Sequence, residues 1–142
     1  MIYMMNRGLK ALIMSAALTL LSVSCGHGFR TLGNEEFMDL LMTDTSVVLL
    51  DVRTPEEYAA SHIPGAVNLD VQSPDFLLRA EKDIDRDTPV AVYCRSGVRS
   101  RNAAKILSGA GYTVYNLKTG ILGWDGPVYT PEQEESIESI RN

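Results

Sequence analysis

Two short apolar runs constrain this 142-residue chain more than anything else in it. Residues 47–52 (VVLLDV) and 89–93 (PVAVY) are rich in β-branched residues and leucine, and each is too short for an ordinary helix. Each therefore reads as a strand buried on both faces. Helical segments surround them. Residues 34–42 begin with Asn34 as a candidate N-cap, place Glu35 and Glu36 in the first turn, and turn Phe37, Leu40 and Leu41 inward. Thr54-Pro55-Glu56-Glu57 is a Thr-x-x-Glu capping box with proline in the first turn. Residues 62–69 form a turn into a short strand. Ser73 and Pro74 open a further helix to about Lys82, and residues 100–107 are amphipathic. Residues 113–117 are the last clear strand, and 121–124 make a helical turn. Short strands alternating with helices make an α/β domain with a parallel sheet covered on both faces.

The strand at 89–93 runs into Cys94-Arg95-Ser96-Gly97-Val98-Arg99-Ser100, and a helix follows. Loop amides that open a helix converge on one spot, where the helix dipole adds positive potential. A free thiol with a pKa of about 8.5 is only about 3% ionised at neutral pH, and such a site brings the pKa down to about 3.5–7.5. Arg95 and Arg99 are expected to favour the thiolate too. A cysteine buried for packing alone has no need of two arginines, two serines and a glycine in the next six positions. Cys94 is therefore the candidate nucleophile.

The ends read differently. Arg7 and Lys10 precede an apolar stretch at 11–23. As a helix this stretch reaches about 20 Å, short of the roughly 30 Å hydrocarbon core, so residues 1–24 read as a signal peptide. Leu21-Ser22-Val23-Ser24-Cys25 is similar to a bacterial lipoprotein cleavage site, with Ser22 where leucine is usual. That makes Cys25 the lipid-bearing first residue, ordinary cleavage after Ser24 being the alternative. The mature protein is then expected to be exported to the cell envelope or periplasmic face and held to a membrane through that lipid. Residues 25–33 read as a tether, 34–128 as the domain and 129–142 as a tail able to form a short helix. With Cys25 at the signal junction, Cys94 is expected to be free rather than disulfide-bonded. The 18 acidic residues outnumber the 13 basic ones and no basic cluster occurs, which gives no electrostatic case for nucleic acid. Two histidines and two separated cysteines provide no metal-ligand spacing.

The loop resembles the Cys-x-x-Gly-x-Arg active-site loop of the rhodanese-like sulfurtransferases, with Cys94, Gly97 and Arg99 matching position for position. Asp51-Val52-Arg53, Glu57-Tyr58, the 62–68 segment His-Ile-Pro-Gly-Ala-Val-Asn, and Gly111-Tyr112-x-Val114 with Gly123-Trp124 are similar to other parts of the family, in the family's order. Thr119-Gly120 departs from it, since many members carry two glycines there. The resemblance covers about residues 30–128. It implies a three-layer α/β/α domain around a five-stranded, mainly parallel sheet.

It also implies sulfane-sulfur transfer through a persulfide on Cys94, with no cofactor. Arg95, Ser96, Gly97, Val98, Arg99 and Ser100 would bind a small anionic donor such as thiosulfate. The acceptor would be cyanide or a thiol, including a protein thiol. Asp51, Arg53 and His62 read as structural support; the alternative for His62 is a general base. Cysteine phosphatases place five residues between cysteine and arginine, against four here, which weakens a phosphatase or arsenate reductase reading. A non-catalytic sulfur or redox carrier remains the alternative.

Overall fold

A computed structural model describes residues 28–133. Residues 1–24, expected as a signal peptide, Cys25 and the tail from 134 onward lie outside the described residues. The elements run β1 (Arg30–Leu32), α1 (Asn34–Thr43), β2 (Val48–Asp51), α2 (Pro55–Ala60), β3 (Val67–Asn68), α3 (Phe76–Asp83), β4 (Val90–Tyr93), α4 (Val98–Gly109) and β5 (Val114–Leu117), closed by a 3-10 turn at Ile121–Gly123. The five strands form one sheet in the order β1-β5-β4-β2-β3, and every pairing is parallel.

The alternation of side chains along β4 divides the core. Val90, Val92 and Cys94 face α3 and α4, where they meet Phe76, Ala80, Ala103, Ala104 and Leu107. Ala91 and Tyr93 face the other side, with Phe37 of α1, Leu117 and Trp124. The three-layer architecture implied by the sequence is therefore the observed one. All four residues of β4 are buried, as expected for a central parallel strand.

The structure corrects several boundaries. Arg30–Leu32, expected as tether, is the edge strand β1 beside β5. Three residues are too few for a periodic signal, and their partner lies far along the chain. Asn34 does not cap α1. Gly33 stands at the N-cap, and its N–H donates to the Glu36 carboxylate at 3.2 Å. Asn34 instead donates to the Gly123 carbonyl and, at 2.8 Å, to Asp125, and accepts from the Thr119 hydroxyl at 2.9 Å. The third helix starts at Phe76, because Ser73 and Pro74 belong to the preceding turn. Tyr129, assigned to the tail, exchanges backbone hydrogen bonds with His62 at 3.1 and 2.7 Å and belongs to the domain.

Candidate active site

Cys94 follows the central strand β4 directly, at the carboxyl end of the sheet. From β2 the chain moves outward to β3, and from β4 it moves the other way to β5, so the loop sits at the reversal where open parallel sheets bind ligands. Thr54 and Glu57 form the expected capping box at α2, with N–H to side-chain distances of 3.1 and 3.3 Å. That fixes the α2 N-terminus, and the Arg99–Glu57 ion pair holds it beside the loop.

Cys94 is a free thiol, and only 1% of the residue is exposed. Its Cβ side packs among aliphatic neighbours, while its Sγ accepts the Gly97 N–H at 3.1 Å. Burial pushes the thiol pKa up, but the Ser100 hydroxyl and the backbone N–H groups of Ser100, Gly97 and Ser96 outweigh it, so the pKa lies below the ordinary thiol value. The Ser100 Oγ is fully buried and makes no hydrogen bond of ordinary geometry among the described residues. It lies near enough to the Cys94 sulfur to favour the thiolate, an attraction that grows when the sulfur is ionised.

Glycines hold the loop in this shape. Gly97 has φ +94°, and a Cβ there would lie 2.4 Å from the Lys118 carbonyl oxygen. Gly120 has φ +61°, and a Cβ there would lie 2.3 Å from the Arg95 carbonyl oxygen. The 118–122 segment also donates N–H groups of Ile121 to the Cys94 carbonyl at 2.9 Å and of Leu122 to the Arg95 carbonyl at 3.1 Å. The two loops therefore interlock through main chain. This accounts for the Thr119-Gly120 departure: position 120 demands glycine, whereas Thr119 is accommodated and uses its hydroxyl on Asn34.

The arginines are placed differently from the sequence expectation. Arg95, Ser96 and Val98 are exposed on the outer side of the loop. Arg99 spends its terminal N–H groups on a carboxylate rather than on the sulfur. Its guanidinium forms a two-pronged ion pair with Glu57 at 2.7 and 2.8 Å. That pairing, with the Thr54 cap, holds the Glu57 pKa down at about 2 despite some desolvation. The donors turned on Cys94 are therefore neutral dipoles.

Asp51 and Arg53 form a buried ion pair beneath the loop. Arg53 donates from Nε at 2.9 Å and from Nη2 at 2.5 Å to the buried Asp51 carboxylate, and from Nη2 to the Ser61 carbonyl at 2.6 Å. Sequence reasoning missed Tyr93 as the third member. Its hydroxyl donates to Asp51 at 2.8 Å and accepts the Ile63 N–H at 3.0 Å, which ties the residue before Cys94 to β2 and the turn after α2. Asn68, also missed, donates to the Asp51 and Arg53 carbonyls at 3.0 and 2.9 Å. His62 is fixed: its Nδ1 lies 3.0 Å from the Tyr58 carbonyl, and its ring stacks on Tyr58 with centroids 3.9 Å apart.

This geometry has relatives. The family described as Rhodanese-like domain matches residues 34–126. The chain belongs to that family. It is 36% identical over 104 residues to a protein named Sulfurtransferase from Allochromatium vinosum, covering 70% of this chain and 94% of that one. It is 37% identical over 98 residues to a Thiosulfate sulfurtransferase GlpE from Pseudomonas putida, covering 68% and 84%. Among solved structures it resembles a rhodanese-related protein from Thermoplasma volcanium, with TM-score 0.60, 28% identity, and coverage of 71% of this chain and 98% of that one. As a member of the rhodanese-like family, the chain carries its loop cysteine at the expected place with the supporting amides intact.

Proposed function

We propose that the protein is a sulfurtransferase that moves a sulfane sulfur through a persulfide on Cys94. The Cys94 thiolate attacks the outer sulfur of thiosulfate or a similar donor. An S–S bond forms, the donor's internal S–S bond breaks, and sulfite leaves with the electron pair. An acceptor, cyanide or a thiolate, then attacks the terminal sulfur and returns Cys94 as thiolate. This is covalent catalysis in two halves, with ping-pong kinetics. The observation that carries the reading is a thiol at the floor of a loop whose donors converge on one atom, led by the Gly97 N–H at 3.1 Å. Its 1% exposure places that thiol at the base of the loop rather than on the surface. Exposed Arg95 on the same loop supplies a cation for the anionic end of the donor.

The phosphatase and arsenate reductase reading loses support because the arginine it needs is engaged by Glu57. The relatives named as sulfurtransferases favour turnover over a purely passive carrier. A thiosulfate–cyanide assay tests the proposal. Wild-type protein should produce thiocyanate, and Cys94→Ser should fall to the uncatalysed background; undiminished turnover in that variant would refute the mechanism. Mass spectrometry of freshly isolated protein should find one extra sulfur on Cys94. The same proposal places the domain at the cell envelope through a lipid on Cys25. Labelling with a fatty-acid analogue should mark wild-type protein and not Cys25→Ala.

A further inference from the structure

The two-pronged contact between Glu57 and Arg99 does more than brace the fold. Glu57 Oε2 accepts both the Thr54 N–H at 3.1 Å and an Arg99 N–H at 2.7 Å, while Oε1 accepts the second guanidinium nitrogen at 2.8 Å. One carboxylate thus caps α2 and occupies the fork of the arginine that closes the Cys94 loop. The pair is about three-quarters buried, with side-chain exposures of 26% and 29%. Arg99 feels the Cys94 sulfur and Asp70 electrostatically, so its charge lies within range of the site even though its N–H groups point elsewhere.

A free guanidinium fork on such a loop is the chemistry that binds sulfate, phosphate or arsenate in two-pronged fashion. The neutral donors left around the sulfur suit a single monoanionic atom. We propose that Glu57 is the specificity-determining residue of the site: by holding the Arg99 fork it keeps tetrahedral oxyanions from binding at Cys94 and leaves the loop to a terminal sulfur. The inference rests on the sulfur-transfer reading of the loop. It concerns anion binding, however, and is measured without turnover.

The test is titration calorimetry of wild type, Glu57→Gln, Arg99→Gln and the double variant with inorganic phosphate and with sulfate, at constant ionic strength. Protection of Cys94 from iodoacetamide by each anion locates the binding. Glutamine retains an acceptor for the Thr54 N–H but loses the charge that grips Arg99. Glu57→Gln should bind both anions on the order of tenfold more tightly than wild type, the scale of one charge-assisted hydrogen bond. Its protection of Cys94 should rise in step, and the gain should vanish in the double variant. Equal binding by Glu57→Gln and wild type would overturn the proposal, as would a gain that survives removal of Arg99. Should Glu57→Gln not fold, Glu57→Asp is read instead. Its carboxylate is one methylene too short to hold both nitrogens, so a smaller gain is expected, and none would be equally fatal. Failure of thiosulfate turnover in wild type would sink the sulfur-transfer reading while leaving these binding results interpretable.

Discussion

Ser100→Ala isolates one donor of the sulfur site. The Ser100 hydroxyl is buried, makes no hydrogen bond of ordinary geometry among the described residues, and helps hold the Cys94 pKa down. Alanine removes the hydroxyl and keeps the backbone N–H, so the donors at Ser96, Gly97 and position 100 of the main chain remain. A hydrogen bond to a charged group contributes about 1.5–3 kcal/mol, and about 1.36 kcal/mol corresponds to one pKa unit, so the thiol pKa should rise by about one to two units. Stability should move differently. Where the thiol is protonated, the variant loses no strong bond and sheds a buried unpartnered polar atom, so its melting temperature should hold or rise. The lowered pKa also sets a sign. Ionised Cys94 adds stability that is complete above the ordinary thiol pKa and is lost as pH falls through the folded-state pKa. Ser100→Ala should narrow that window from its acid side. The pH dependence of iodoacetamide alkylation, beside ultraviolet thiolate absorbance, measures the shift. A folded variant whose pKa stays put or falls would refute the account of how this loop stabilises a sulfur anion.

Three further outcomes are expected. Gly120→Ala meets the Arg95 carbonyl at a position with φ +61°, and should cost at least about 2 kcal/mol in denaturant unfolding while lowering sulfur-transfer turnover. Tyr93→Phe removes one donor from the buried Asp51 carboxylate, which keeps Arg53, and leaves the Ile63 N–H without its acceptor, and should cost about 1–3 kcal/mol by the same measurement. Glu57 has a folded pKa of about 2 against an ordinary 4.5, so its contribution is full above 4.5 and fades as pH falls toward 2. Acid unfolding of Arg99→Gln should accordingly show a weaker dependence on pH in that interval, and identical profiles would remove Glu57 from the acid response.

Much of this protein is written locally. The strand–loop–helix around Cys94 announces itself through a buried apolar run, a cysteine, a glycine and a following helix, all within a few residues. The Thr54–Glu57 cap is equally plain, because capping is a matter of residues three apart. The role of Arg99 was not legible. A loop arginine beside a thiol reads as part of the anion site, yet it lies 42 positions from the carboxylate that takes it. Tyr93 and Asp51 are separated by the same interval and meet only because β2 and β4 pair in register at those two residues. The three residues of β1 acquire their place from β5, and Gly120 acquires its constraint from the Arg95 carbonyl. The sequence by itself determined the alternating strands and helices, the nucleophile and the amides around it, since these depend on neighbours along the chain. Which charges face the sulfur, and which are turned away from it, was decided by the tertiary structure. Parallel pairing brings distant side chains together through strand order and register, and neither leaves a local mark in the chain.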